Sequence, residues 1–148
     1  MSQKNFLDIF NILKPSDDVR DMLLTALNIK VRVDKEKRFA EITADFPKTV
    51  RKQLLYKAEA ELQRDYNLNC VRILPTYPAE CFDDRYISQI LIETERTGIV
   101  ARGFFTNFEF EHIDDSITIK IPFSDGGISL LYDANTPKVI ENIIFSEF

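Results

Sequence analysis

Hydrophobic and polar residues alternate along the stretch 28–46, and this alternation predicts two β-strands. In the first strand, Ile29, Val31 and Val33 lie between charged residues, so one face is apolar, as in a half-buried strand. The polar run 34–37 suits a hairpin connection. The second strand ends at Pro47 and has its apolar positions at Ala40, Ile42, Ala44 and Phe46. The pattern therefore predicts a β-hairpin.

Helical spacing replaces the alternation after Pro47. Apolar residues then recur three or four positions apart, at Val50, Leu54, Leu55, Ala58 and Leu62. The opposite side of this predicted helix is expected to face water and carries Lys52, Lys57, Glu59 and Gln63. The apolar run 70–74, closed by Pro75, predicts a third strand.

Two further helices are predicted before the hairpin. Apolar residues at helical spacing indicate about three turns and stand at Phe6, Ile9, Phe10 and Leu13. Pro15 ends this helix, and Ser16 is placed to cap the next one, with two aspartates in its first turn. The first unit is thus predicted as helix, hairpin, helix and strand.

A similar order of elements begins again near Asp83, which can cap a helix, as can Asp84. A second hairpin is predicted from two alternating runs, Phe108, Phe110 and His112, then Ile117, Ile119 and Ile121. A helix with a strong apolar face begins at Thr136-Pro137 and runs to Phe148. Two stretches are less regular: Ile99 to Phe105 is an ambiguous strand, and Ile128 to Asp133 is one or two helical turns.

The repeated order predicts an α+β fold of two small helix–hairpin–helix(–strand) units. We place the first module at 1–78 and the second at 79–148. Because the second unit stops inside or just after a helix, it is expected to lack its last strand, and the chain is expected to be a fragment of a longer protein. A region of roughly 70 residues is marginal alone, so the two units are expected to support each other.

The composition favours a cytoplasmic chain without a membrane segment. No apolar run approaches the roughly 18 residues needed to span a bilayer, and the first residues lack the layout of a signal peptide. Cys70 and Cys81 are therefore expected to be reduced.

The net charge of −5 is unevenly distributed. Residues 1–78 contain 14 basic and 11 acidic side chains, whereas residues 79–148 contain 5 basic and 13 acidic ones. An acidic second half repels phosphate and favours basic protein partners.

No catalytic, metal-binding or cofactor-binding residue is predicted. His112 is the single histidine and has no cluster of potential ligands around it in sequence. The acidic pairs are explained by helix capping and turns, and stand at 17–18, 83–84 and 114–115. Neither of the glycine-rich phosphate-binding motifs occurs.

Basic residues on the first hairpin and near the following helix could contact single-stranded nucleic acid. The candidate residues are Lys30, Arg32, Lys48, Arg51 and Lys52. Acidic residues are interleaved with them, and mixed charge is typical of a solvated surface. Nucleic-acid binding is therefore the alternative hypothesis, behind protein docking.

Several segments resemble the N-terminal region of the PolC-type bacterial DNA polymerase III alpha subunit. In the first half these are KVRVDKEKRFAEITADFP, TVRKQLLYKAEAELQRDYNL, CVRILPTYP and FDDRYISQILIE. In the second half they are ITIKIPFSDGGISLL and PKVIENIIFSEF.

The resemblance implies a non-catalytic piece of a replicative enzyme. In that family, two small α+β modules precede the nucleic-acid-binding barrel, exonuclease, PHP and polymerase domains. The parent protein would be a DNA-directed DNA polymerase with 3′–5′ exonuclease activity. This fragment would hold no catalytic residue and no cofactor, and it would dock replisome proteins such as the clamp loader.

The resemblance also implies a K-homology (KH) fold for the second module. Ile128 to Asp133 and Pro137 to Phe148 would be two of its helices. That fold clamps nucleic acid with a GxxG loop, but here the connection Ala134-Asn135-Thr136-Pro137 has no glycine. This departure favours protein contact over nucleic-acid clamping.

Overall fold

The computed structural model describes residues 4–98, 105, 108–121, 131–132 and 134–148. Its contacts divide the chain into two compact units, of which the first contains residues 1–82 with 147 and 148, and the second residues 83–146. The predicted mixed α+β fold is confirmed, with a three-stranded and a two-stranded sheet. The predicted module limits, 1–78 and 79–148, stay a prediction.

The first unit begins with two short helices, α1 at Phe6–Ile9 and α2 at Asp17–Leu23. The prediction of three turns for α1 is wrong, because the backbone leaves the helical region at Phe10. The ring of Phe10 stacks on Phe6 at a centroid distance of 4.8 Å and meets Tyr66 edge-on at 5.7 Å. Aromatic packing thus replaces the later turns of the predicted helix.

A three-stranded sheet and one long helix form the body of this unit. Their bounds are β1 Leu27–Asp34, β2 Phe39–Asp45, α3 Lys52–Asp65 and β3 Cys70–Thr76. β1 pairs antiparallel with β2, as the predicted hairpin requires, and β2 pairs parallel with β3. A parallel pair needs a crossover connection, which α3 supplies. The strands and helix predicted between 28 and 74 are confirmed.

The core of the first unit lies between the sheet and α3. Alternate residues of β2, Ala40, Ile42 and Ala44, are buried, as the period-two pattern predicts. They pack with buried residues of β3 and α3, which are Val71, Ile73, Leu55, Ala58 and Leu62.

The prediction that β1 is half-buried is wrong, because seven of its eight residues are exposed and Ile29 is intermediate. Strands lie about 4.8 Å apart and a helix with its side chains is about 10 Å wide, so one helix covers about two strands. α3 packs mainly against β3. The apolar face of β1 is therefore left largely uncovered.

The predicted polar side of α3 is partly wrong. Lys52 and Glu59 are buried instead of facing water, and Leu55 is fully buried whereas Leu54 is only half-buried. Lys52 is buried against Glu147, and Glu59 is buried against β3, so more than one side of the helix is covered. The Glu59 carboxylate accepts a hydrogen bond from the Ile73 N–H at 3.4 Å.

Ser16 precedes α2, but its side chain does not cap the helix as predicted. Its hydroxyl donates to Glu61 Oε2 at 2.7 Å and lies 3.0 Å from Asp18 Oδ1, and its N–H donates to Glu61 Oε1 at 2.8 Å. A carboxylate can only accept hydrogen bonds. The serine side chain therefore turns toward α3 and fastens the start of α2 to it.

The second unit contains α4 Ile87–Thr97, β4 Glu109–Ile113, β5 Ser116–Lys120 and most of α5 Thr136–Glu147. β4 and β5 form the predicted antiparallel hairpin, and its turn residue Asp114 has a φ of 51°. Asp83, predicted as a possible helix cap, caps the 3₁₀ turn Asp84–Tyr86 before α4 instead, accepting the Arg85 N–H at 2.8 Å.

Two predictions for the second unit lie largely outside the described residues. They are the strand at Ile99 to Phe105 and the helical turns at Ile128 to Asp133. Ile117 and Ile119, two of the predicted apolar positions of this hairpin, are half-buried between exposed neighbours.

Candidate docking surface on the first unit

The exposed strand β1 forms the candidate functional site, which we call the β1 edge (residues 27–34). Within the described chain β1 pairs with β2 alone, so alternate backbone N–H and C=O groups point away from the sheet. Leu27, Val31 and Val33 are 52%, 39% and 53% exposed. Unpaired backbone groups beside exposed apolar side chains are the features that let a sheet accept another strand.

The other face of the β1 edge is basic. Arg32 pairs with Glu41 on the neighbouring strand at 3.1 Å and remains largely exposed. Lys30 is exposed and has no ion-pair partner among the described residues. The pKa of Asp45 is lowered, mainly by a hydrogen bond from the Thr76 hydroxyl. A hydrogen bond from the Asn28 amide and the charge of Lys30 lower it further.

The hairpin turn next to β1 is held by its own side chains. The Asp34 carboxylate accepts the Lys37 N–H at 3.1 Å. Arg38 has a φ of 53°, and its guanidinium donates to the carbonyl of Asn67. Arg38 therefore has a structural role, whereas Lys35 and Lys37 stay exposed at the end of the hairpin.

The structure separates the five predicted nucleic-acid contacts into two groups. Lys30, Arg32, Lys48 and Arg51 are exposed, and their contact with nucleic acid stays a prediction. Lys52 is buried, so the expectation that it faces solvent is wrong.

Lys52 instead belongs to a buried cluster that sequence reasoning missed. Its Nζ lies 2.7 Å from Glu147 Oε2, and the two side chains are 2% and 5% exposed. The Tyr77 N–H donates to the Glu147 carbonyl at 2.7 Å, and the Phe148 ring packs against Tyr77 and Phe82 at 5.3 and 5.2 Å. The cluster fastens residues 147 and 148 to the first unit.

Among the described residues, no group of three or more potential ligands could hold a metal ion. His112 lies in β4, as predicted, and its Nδ1 is 2.6 Å from Asp84 Oδ1 in the same unit. Cys70 and Cys81 are free thiols, and Cys81 Sγ lies 3.5 Å from the carbonyl oxygen of Pro47. In the part of the chain described, no helix combines the length and apolar content needed to cross a bilayer.

Half-buried Asp65 and exposed Asp83 each accept strong local hydrogen bonds. The Asp65 carboxylate accepts from the Arg64 guanidinium at 2.8 and 3.1 Å and from the Lys14 N–H at 2.8 Å, which lowers its pKa to about 2. The side chain and then the N–H of Arg85 likewise lower the pKa of Asp83 to about 2. The ordinary value for either carboxyl group is 3.8.

We expect acid to weaken the folded protein between about pH 4 and pH 2. A carboxyl group with a lowered pKa stabilises the fold above its ordinary pKa, and this stability is lost as the pH falls through about 2. The substitution Asp65→Asn should therefore flatten the fall of unfolding free energy, measured by urea titration across this range. Asp21→Asn is the control. The Asp21 carboxylate lies beside an arginine as well, but at 3.4 Å, which is longer than the bonds that Asp65 accepts. Equal slopes in both variants would contradict the assignment.

Comparison with protein-family models, curated proteins and solved structures found no significant match.

Proposed function

We propose that this chain is the non-catalytic N-terminal region of a PolC-type DNA polymerase III alpha subunit and that it docks replisome proteins. The resemblance of its segments to that family supports the membership. The exposure of β1 supports the docking role. The parent protein would carry the polymerase and exonuclease activities in other domains.

The uncovered apolar row on the β1 edge is the observation that carries the docking role. An eight-residue edge strand offers a row of backbone hydrogen bonds, and each cross-strand side-chain pair adds about 0.2–1 kcal/mol. Proteins usually blunt such edges with short strands, lysine, proline, a bulge or a covering element. β1 carries Lys30 and a register shift between Leu27 and Lys30, but it has no proline, and Val31 and Val33 remain accessible to a partner.

The same proposal includes a KH-like fold for the second unit. α4, the β4–β5 hairpin and α5 follow one another in the order helix, hairpin, helix. The residues 134–137 before and at the start of α5 include no glycine, so side chains would stand between the backbone and a phosphate. We therefore assign this unit to protein contact, in line with the acidic charge of residues 79–148.

An immobilised-chain experiment tests the docking role. We expect the chain to retain clamp-loader subunits from an extract of a bacterium that uses a PolC-type polymerase, as identified by mass spectrometry. The double variant Val31→Lys/Val33→Lys should lose this retention, because it places charge on the apolar row. Both positions are exposed, so the fold should persist, which circular dichroism checks.

Ile12→Lys is the matched control for that experiment. Ile12 is 60% exposed and lies in the same unit but outside the sheet. This variant should retain the same proteins as the wild type. Failure of the wild-type chain to retain any replication protein would count against the proposed function.

A further inference from the structure

The two faces of β1 present different chemistry to a strand laid beside it. Ile29, Val31 and Val33 form an apolar row on one face, and Lys30 and Arg32 stand on the other, with Asp34 at its end. Side chains of neighbouring strands meet on the same face, about 4.5–5.5 Å apart. A strand added to β1 would therefore place its own alternate residues against an apolar row and a basic row.

The charges near β1 favour an acidic neighbour. Lys30 has no ion-pair partner among the residues described, while Lys35 and Lys37 extend the exposed positive charge into the hairpin turn. Asp34 of the strand and Glu36 of the turn are acidic and exposed, so residues 27–38 carry five basic and two acidic side chains. The paired carboxylate of Glu41 lies on the inner neighbour β2 and leaves the Arg32 side chain 77% exposed. The outer side of the edge therefore presents more uncompensated positive than negative charge.

A second copy of this chain fits the same edge poorly in the register centred on Val31, which sets Ile29 of one copy opposite Val33 of the other. Antiparallel self-pairing centred on Val31 would set Lys30 of one copy opposite Arg32 of the other, twice. Like charges directly opposite each other destabilise a strand pair. Edge lysines are also a common means of preventing self-association through sheet edges.

We infer that the β1 edge takes up an extended acidic segment of a protein partner, in which carboxylate residues alternate with apolar ones. The inference rests on the proposed docking function and names the chemistry of the occupant. The carboxylates would face Lys30 and Arg32, and the apolar residues would face Val31 and Val33. β1 is eight residues long, so at about 3.3 Å per residue the occupant spans roughly 25 Å. Backbone hydrogen bonds would supply affinity, and the alternating side chains specificity.

A peptide titration tests this inference. The probe is a fluorescein-labelled peptide of four Glu-Val repeats, measured by anisotropy against the whole chain. Two control peptides replace glutamate by lysine or place the same residues in a non-alternating order. We expect binding of the alternating acidic peptide alone, with amide chemical shifts changing along residues 27–34.

Matched variants separate the β1 edge from general electrostatic attraction. Lys30→Gln/Arg32→Gln should weaken peptide binding at least tenfold, while Lys48→Gln/Arg51→Gln removes the same charge from exposed residues outside β1 and should leave it within twofold. Absence of peptide binding, or equal weakening by both pairs, overturns the inference. Binding of a labelled single-stranded oligonucleotide without peptide binding also overturns it, in favour of nucleic-acid contact.

The extract experiment distinguishes failure of this inference from failure of the docking role. If the wild-type chain retains clamp-loader subunits but does not bind the acidic peptide, docking stands and the acidic occupant is wrong. If it does neither, both proposals fail.

Discussion

Replacing Lys52 with methionine is expected to lower the free energy of unfolding by about 3–5 kcal/mol, as when one member of a buried ion pair is removed. The Glu147 carboxylate, at 5% exposure, would lose the ammonium group that lies 2.7 Å away. Water cannot compensate this charge without opening the cluster formed by Tyr77, Phe82 and Phe148. Urea unfolding followed by circular dichroism measures the change.

Two further variants make the Lys52 experiment decisive. The double variant Lys52→Met/Glu147→Leu should recover most of the loss, because well-packed apolar residues often replace a buried ion pair without cost. Lys48→Met, at an exposed position, should change stability by no more than about 0.5 kcal/mol. A loss below about 1 kcal/mol in the single variant would show that the pair is solvated.

The burial of Lys52 could not be predicted from its neighbours in sequence. Lysine is almost never fully buried without a partner, so its place opposite the apolar stripe of α3 indicated a solvent-facing residue. The partner carboxylate is 95 positions away along the chain. No local periodicity encodes a contact of that separation.

The second large effect is expected at Leu55. The substitution Leu55→Ala should cost about 2–5 kcal/mol, because this side chain is 1% exposed between α3 and the sheet and its removal leaves a cavity. Leu54→Ala should cost less than half as much, since Leu54 is half-buried and its loss is partly filled by water. The two variants have the same chemistry and adjacent positions, so helix propensity cancels between them.

The Leu54 and Leu55 variants are compared by the same urea titration. Equal losses at the two positions would mean that α3 is rotated relative to the sheet from the orientation described. A larger loss for Leu54→Ala would mean that Leu54, and not Leu55, points into the core.

Alternation predicted the strands better than it predicted their burial. The period-two pattern of β2 and β1 is equally regular, yet β2 is alternately buried and β1 is almost wholly exposed. Alternation distinguishes the two faces of a strand, but whether a face is covered depends on where a helix lies in three dimensions. That is why the pattern located Lys30 and Arg32 of the candidate site but missed the accessibility of the apolar row beside them.

Competition between hydrogen-bond partners explains why Ser16 does not cap α2 as predicted. Ser16 has a capping residue type at a capping position, but the carboxylate of Glu61, far along the chain, takes its hydroxyl and N–H. Asp83 follows the local rule because its partner, the N–H of Arg85, is two residues away. Local rules hold where no distant group offers a stronger partner.

The buried pair in the first unit also has a consequence for synthesis on the ribosome. Because the partners are 95 positions apart, Lys52 is translated roughly 5–20 s before Glu147 at ordinary elongation rates of about 5–20 residues per second. During that interval the ammonium group of Lys52 has not yet met the Glu147 carboxylate, with which it is buried in the folded chain. Completion of this unit is therefore delayed until most of the second has left the ribosome, although its sheet and α3 are encoded within the first 76 residues.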